Sequence, residues 1–462
     1  MPNTKRRTIV RAVCTLAALV PGSALAHAIE VRNVTVIDVS APDEPSARIA
    51  GQTVRFENGR IVAIAPAAHD APPGEAQAID GTGRFLVPGF WDMHAHVDGT
   101  IPEMRQVMRL FLANGVTHVR DLGLDGSLEN FNNFRAAIAQ GAEAGPLIVA
   151  TPTRFTDGAV VLGGDDPVAD WDTPAQFFLS TAEDGRAIVR HVAATGIDYI
   201  KTYDSIPREA YFALMDEARR LGVRVAGHVP IAVGTDEGAD AGMASIEHAR
   251  KLLWDCAPEG ERIRAAYDLG TSGAVPHTGP ALQNDVSFIA AVVAGFDAQR
   301  CDAILARMAA NGTHYVPTHT TRRVDMLAHL PELQDDPLVA TYASEALLEE
   351  WSEGIDFYAR FDRDGQAALA AFYFHGLALT ERAHRAGVPI LVGTDTRDTW
   401  LLPGFSFHQE MANLDLAGLE PLTVLRAATL AAARFMGMED GAGRIVVGAS
   451  ADAVLLTADP LL

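Results

Sequence analysis

Eight short apolar stretches, spaced by longer amphipathic or polar segments, constrain this chain more than any other feature. They lie at 90–96, 116–121, 146–151, 197–203, 223–228, 244–248, 314–319 and 389–395. Helical periodicity runs between most of them, as from Arg208 to Leu221 and from Phe288 to Ala310. A parallel strand return needs a crossover, so alternating strands and helices favour βα units, and eight strands close a barrel. The expected fold is therefore α/β, with a (β/α)8 TIM barrel over 88–435. The connections 249–313 and 320–388 exceed ordinary loop lengths and are expected to carry helices that roof the barrel mouth.

Both ends of the chain alternate with period two. Ile29-Glu30-Val31-Arg32-Asn33-Val34 and Thr53-Val54-Arg55-Phe56 read as strands, and Glu57-Asn58-Gly59-Arg60 reads as a hairpin turn into Ile61-Val62-Ala63-Ile64. Arg444-Ile445-Val446-Val447 and Ala453-Val454-Leu455-Leu456 repeat the pattern around Gly448-Ala449. Segments 27–87 and 436–462 are accordingly expected to build one small β-sandwich.

Residues 1–26 read as an export signal. Lys5, Arg6, Arg7 and Arg11 form a basic start, Ala12 to Val20 is apolar, and Ala24-Leu25-Ala26 is a small-x-small cleavage pattern. The apolar run is too short to span a bilayer. The mature protein is expected in the periplasm or secreted, with no membrane partner. Arg6-Arg7-Thr8-Ile9-Val10 also fits a twin-arginine signal, so Sec and twin-arginine export both stay open. A formal net charge of -22 leaves no basic footprint for a phosphate backbone and excludes nucleic acid as a partner. Cys14 belongs to the signal; Cys256 and Cys301 are left, as two free thiols or as one bridge.

The chemistry-bearing residues fall at strand ends. In Met93-His94-Ala95-His96 the two histidines are two apart on a strand and so share a face, and imidazole suits zinc and related ions. Lys201, His228, His248 and Asp395 close strands four, five, six and eight, on the side where barrel enzymes keep their active sites. An inward lysine without a partner is costly, so Lys201 needs a chemical reason to be there. Arg120-Asp121 closes strand two, placed to order the ligands from behind. Thr318-His319-Thr320 ends strand seven, with Arg322 and Arg323 beyond it. His319 is a candidate substrate contact, and either arginine is a candidate clamp for a substrate carboxylate, against the alternative of a solvated basic pair. His408 and Glu410 follow strand eight near the mouth, with no role assigned.

On these motifs, with the Gly81 to His96 entry, Gly393-Thr394-Asp395 and the Gly448-Ala449-Ser450-Ala451-Asp452 tail, the chain resembles the amidohydrolase superfamily, in particular its imidazolonepropionase-like and Xaa-dipeptidase-like members. The resemblance implies that His94, His96 and Asp395 bind one divalent metal ion and His228 and His248 a second. It implies a CO2-derived carbamate on Lys201 that bridges both, turning a buried cation into an anionic ligand. Zinc is the default for this ligand set; manganese, cobalt and iron also suit it. In such a site water is acidified to a pKa near ~7, and Asp395 carries its proton to the leaving amine. Tyr203, two residues beyond Lys201, faces the same way if the strand persists, as a hydrogen-bond donor to the scissile carbonyl or a substrate carboxylate. The implied reaction is hydrolysis of amide C–N bonds in small peptides or N-acyl amino acids. The alternatives are a cyclic amide or imide, a lactone or a phosphotriester, and, from another class, a non-catalytic binding protein. Relatives often form homo-oligomers, but no interface signature marks this chain.

Overall fold

The computed structural model describes residues 28–67, 76–97, 99–123, 127–153, 155–158, 176–268 and 285–462. The expected export signal and its Cys14 lie outside the described residues. The strands are, in order, β1 (Ile29–Ile37), β2 (Arg48–Glu57), β3 (Arg60–Pro66), β4 (Gln77–Asp80) and β5 (Phe85–Pro88). Next come β6 (Phe90–Ala95), β7 (Val116–Asp121), β8 (Leu147–Ile148), β9 (Phe155–Gly158) and β10 (Gln176–Leu179). The series ends with β11 (Tyr199–Thr202), β12 (Arg224–Gly227), β13 (Ser245–Glu247), β14 (His314–Val316) and β15 (Ala453–Leu456). The chain divides into two compact units: one holds the residues up to Trp91, Phe111–Thr117 and Glu420–Leu462, the other Asp92–Leu110 and His118–Leu419. Compared with the expected divisions at 87 and 436, the first unit also takes in the helices Pro421–Ala427 and Leu430–Met436.

In the first unit the described pairings join six strands in one network, β15-β5-β1-β2-β3 with β4 on β1, where two facing sheets were expected. One network forms because β1 serves both sides: it is antiparallel to β2 and parallel to β4 and then to β5. The β2–β3 hairpin turns at Asn58 (φ 51°) and Gly59 (φ 74°), the two positive angles that a two-residue turn of this hand requires. Val34, Val54, Ile61 and Leu86 form its core, with Ile445 and Ala449 from the tail. Arg444-Ile445-Val446-Val447 is not a strand. The tail instead crosses the start of β3 as a turn, with Gly448 donating to Ile61 O, Ile61 to Ala449 O and Ser450 bridging Arg60, and Ala453–Leu456 then pairs along β5.

The second unit is parallel α/β. β6, β7 and β8 pair in that order, Pro152 bridges to Tyr199 at the start of β11, and β11, β12, β13 and β14 follow in parallel register. Tyr315 then bridges to Ile390, and Thr396 bridges back to Ala95 on β6. All eight stretches read as strands from sequence take part in this TIM-barrel-like order. The eighth is held by single bridges instead of a ladder. β9 and β10, unforeseen, add parallel pairings beside β11.

The helix Arg208–Leu221 has the expected bounds: it buries Tyr211, Leu214, Met215 and Ala218 at helical spacing and ends at Gly222 (φ 71°). The single helix expected over 288–310 is two, Val286–Ala294 and Ala298–Asn311. Asp297 breaks the run by capping the second through the Gln299 and Arg300 amides. The long connections do carry helices, among them His319–Leu327, Glu345–Ala359 and Arg363–Arg385. Cys256 and Cys301, both fully buried, form a disulfide across 45 residues of sequence. Among the described residues no helix is long and apolar enough to cross a membrane.

Candidate metal centre

The site begins where the eighth stretch meets β6. Met93 N donates to Val392 O at 2.9 Å, and Thr394 N and Asp395 N donate to His94 O at 3.0 and 2.7 Å, drawing Asp395 onto the first strand. Gly393 permits this approach, because a Cβ there would stand 2.5 Å from Val316 Cγ1 and 2.7 Å from His94 Cβ. Asp92 locks the junction, accepting from Thr394 Oγ1 at 2.7 Å, Thr394 N at 3.1 Å and His94 N at 3.2 Å. Burial pushes its carboxyl up to about 7. On the other side, Gly227 (φ +122°) has no room for a Cβ, which would lie 2.7 Å from Lys201 Cδ. Close packing of β11 on β12 thus sets Lys201 beside His228.

Two ligand candidates leave the strand alternation. Asp395 and His248 have φ of 62° and 68°, left-handed conformations that cost non-glycine residues about 1–3 kcal/mol and recur at functional sites. The turn at His248 lets it and its neighbour Glu247 serve one site, which alternation alone forbids.

His94, His96 and Asp395 present ligand atoms within 4.8 Å of one another. Asp395 Oδ1 lies 3.1 Å from His96 Nε2 and 3.0 Å from His94 Nε2, and Oδ2 lies 3.6 Å from His248 Nδ1. His94 Nε2, fully buried, is not aligned for a hydrogen bond with that oxygen. It faces the space shared by the three groups, the arrangement of a ligand nitrogen. The His248 ring lies 4.8 Å from His94 and 4.7 Å from His228, centroid to centroid. Tyr203 stacks on His228 at 4.2 Å, and Lys201 Nζ stands 5.7 Å from the Tyr203 ring. All six expected ligands and Tyr203 therefore gather in one place.

The electrostatics suit cations there. Burial holds the Lys201 amine down at about 8, and among the described residues no carboxylate pairs with it. Burial opposes ionisation of Asp395, yet His94 and His248 hold its carboxyl well below the usual range. Burial lowers His228 to about 4 and holds His248 well below the usual imidazole range, so both present neutral imidazoles, the form that ligates metal.

Sequence reading missed most of the groups that orient these ligands. Glu247, 1% exposed, accepts from His94 Nδ1 at 2.9 Å, Arg120 Nη2 at 2.9 Å and Ser245 Oγ at 2.5 Å. Burial opposes its charge, but Arg120 and His94 hold it at about 2. Arg120, expected behind the ligands, does its work through this carboxylate and through Met93 O. Asp204 takes His228 Nδ1 at 2.9 Å and Arg250 Nη2 at 3.0 Å, and Thr318 Oγ1 meets His248 Nδ1 at 2.7 Å. Such partners fix tautomers and ring planes in metal sites. The available signals were Glu247 beside His248 and Asp204 three residues after Lys201.

A cavity of about 610 Å³ opens over the cluster, lined by His96, Lys201, Tyr203, His228, His248 and Asp395. Leu347, Glu350 and Trp351 of Glu345–Ala359 form another wall, so the expected roof is present. Arg322 lines it as well, but with its guanidinium on Asp325 at 2.5 Å. The other two substrate candidates are corrected. Arg323 does not line the cavity. His319 is fully buried outside it, with Nε2 on Thr380 Oγ1 at 2.8 Å, because the strand ends at Val316, Thr318 turns left-handed (φ 46°) and His319 starts a helix packed on Arg363–Arg385. Glu410 is not at the mouth either: it caps that helix through the His319 and Thr320 amides at 2.9 and 2.8 Å.

Comparison with known proteins agrees with this architecture. Residues 308–461 match the Amidohydrolase family. An adenine deaminase of Moorella thermoacetica is 26% identical over 129 residues, 26% of this chain and 22% of that protein. An N-acetylglucosamine-6-phosphate deacetylase of Lysinibacillus sphaericus is 39% identical over 69 residues, 14% of this chain and 15% of that one. These matches span less than a quarter of either relative. Among solved structures, a bottromycin amidohydrolase superposes with a TM-score of 0.68 at 23% identity, over 93% of this chain and 81% of the other. A Xaa-Pro dipeptidase with bound methionine superposes with a TM-score of 0.61 at 20% identity, over 94% and 95%. The fold is thus shared along nearly the whole chain, and the last third of the sequence matches the Amidohydrolase family.

Proposed function

We propose that this chain is a hydrolase of amide C–N bonds in small peptides or N-acyl amino acids, working with two divalent cations. The observation that carries this reading is the gathering of His94, His96, Asp395, His228, His248 and Lys201 at one cavity. The residues fit the ions: four imidazoles, a carboxylate, and an amine that CO2 can convert to a carbamate are the donor set of a binuclear site. His94, His96 and Asp395 would hold one ion, His228 and His248 the other, with carbamylated Lys201 between. Bound cations would supply Lewis acidity to a substrate carbonyl and lower the pKa of water toward about 7.

The chain's own groups do the rest. Asp395 takes the proton from the attacking water and delivers it to the departing nitrogen, completing cleavage of the C–N bond. Tyr203, whose hydroxyl burial keeps protonated, donates a hydrogen bond to the carbonyl oxygen as negative charge grows there. Trp351 and Leu347 cover the opposite wall and exclude water. Export is part of the same proposal, supported by the basic-apolar start of the chain and by the Cys256–Cys301 disulfide, which persists in oxidising compartments.

The test is a dipeptide and N-acyl amino acid panel on metal-loaded full chain and its Asp395→Asn variant. Hydrolysis by the parent and near-complete loss in a folded variant is the expected outcome. Turnover of lactones or imides alone would overturn the substrate class, and unchanged turnover in the variant would overturn the mechanism.

A further inference from the structure

The cavity wall divides by charge in a way that selects between the two proposed substrate classes, peptides and N-acyl amino acids, so the selection rests on the hydrolase reading of the site. Its arginines are already matched: Arg250 lies 3.0 Å from Asp204 and Arg322 2.5 Å from Asp325. Arg397 in turn acts on Glu103. Two carboxylates of the wall are in no ion pair among the described residues, although Arg322 and His96 attract Asp398 from farther off, against burial and Asp395, which push its carboxyl up. Asp398 accepts only the Thr399 amide at 2.7 Å, and among the described residues no lysine, arginine or histidine nitrogen lies within 4 Å of it. Glu350, on the roof helix, is exposed and likewise has no ion pair among the described residues. Asp398 is also fixed in relation to the chemistry, since its backbone amide donates to Asp395 O at 2.8 Å, one turn past the proton carrier. A separate observation marks the same cavity as built for a ligand: Lys201, 1% exposed, lines it with no ion-pair partner among the described residues.

We infer that Asp398 and Glu350 receive a substrate ammonium group, so that the site takes peptides with a free amino terminus in preference to N-acylated ones. In a dipeptide the α-ammonium is one carbon from the scissile carbonyl. A carboxylate one turn beyond Asp395 is the near group of opposite sign for it. An acylated nitrogen is neutral, bulkier, and leaves Asp398 unanswered.

The test uses the metal-loaded full chain and two probes, a phosphinic pseudodipeptide with a free amine and its N-acetyl derivative, with affinities read by calorimetry. The parent is expected to bind the amine form roughly tenfold tighter, as fits a partly solvated ion pair. Asp398→Asn should weaken the amine form alone and bring the two probes within about threefold. Glu350→Gln should do the same to a smaller extent, because no backbone hydrogen bond ties Glu350 to Asp395 as one ties Asp398. Equal or tighter binding of the N-acetyl form by the parent, or equal loss of both probes in the variant, overturns the inference. If the amine preference holds while no dipeptide is cleaved, the ammonium site stands and the hydrolase reading falls. If dipeptides and N-acyl amino acids are cleaved with equal kcat/KM, the hydrolase stands and the ammonium site falls.

Discussion

Replacing Glu247 by Gln tests how the site is held together. The carboxylate is acceptor-only, so His94 Nδ1 must carry the proton it shares across 2.9 Å, leaving the Nε2 lone pair for a metal. In Glu247→Gln the amide oxygen has to stay with Arg120 and Ser245, at 2.9 and 2.5 Å, since a guanidinium can only donate. The amide nitrogen then faces His94 Nδ1, which must accept, and the ring proton moves to Nε2 and blocks ligation. Loss of such a partner weakens metal binding by roughly 10–100-fold. Removing the charge opposite buried Arg120 costs about 3 kcal/mol, the lower end of the range for broken buried pairs, because both remaining hydrogen bonds survive. Glu247→Ala reverses the order: it leaves Arg120 with Met93 O and Ser245 Oγ but no counter-charge and opens a cavity, so it destabilises more, but it frees His94 to choose its tautomer and weakens metal binding less. Chelator-competition titrations give the affinities, and denaturant midpoints of metal-free protein give the stabilities. A folded Glu247→Gln variant that binds metal as tightly as the parent would refute the tautomer argument.

Three further outcomes rest on single contacts. Tyr203→Phe should lower kcat by about 10²–10³-fold, the usual effect of losing one oxyanion donor, with metal content unchanged; a change confined to KM would reassign Tyr203 to ground-state binding. Opening the Cys256–Cys301 bridge frees a loop of 45 residues and should reduce stability by about 4 kcal/mol on the chain-entropy estimate, measured by denaturant unfolding of a double Cys→Ser variant. Glu237 is held at about 2 chiefly by its hydrogen bond from Arg208, so the pair's stabilisation is complete above the ordinary 4.5 and fades as pH falls toward 2. Partial exposure keeps it under about 1 kcal/mol, and Arg208→Gln should flatten that part of a stability–pH curve.

The residues that converge on the site were legible because each is an ionisable type at the end of an apolar strand, a position whose geometry does not depend on the loop beyond it. Lys201 and His228 needed only strand placement to be put together. His319 shows where that logic stops: it also comes after a strand, but a left-handed Thr318 starts a helix one residue earlier than alternation implies and turns the ring into the packing against Thr380. Glu247 was hidden for the mirror-image reason. Alternation puts it on the face opposite His248, and only the positive φ of His248 lets both reach one cluster. The divided helix at Asp297 was readable from the Gly295-Phe296-Asp297 capping pattern and was overridden by continuous apolar periodicity. The disulfide was not readable, since two cysteines 45 residues apart say nothing of the distance between them until the helices bearing them are packed.

Metal content of the purified full chain, combined with anomalous diffraction at the absorption edge of whatever ion it retains, tests the central claim most directly. Two ions per chain are expected, one among His94, His96 and Asp395, the other beside His228 and His248, with Lys201 between them. A folded protein that holds no ion after dialysis against metal, or binds it away from these side chains, contradicts the account.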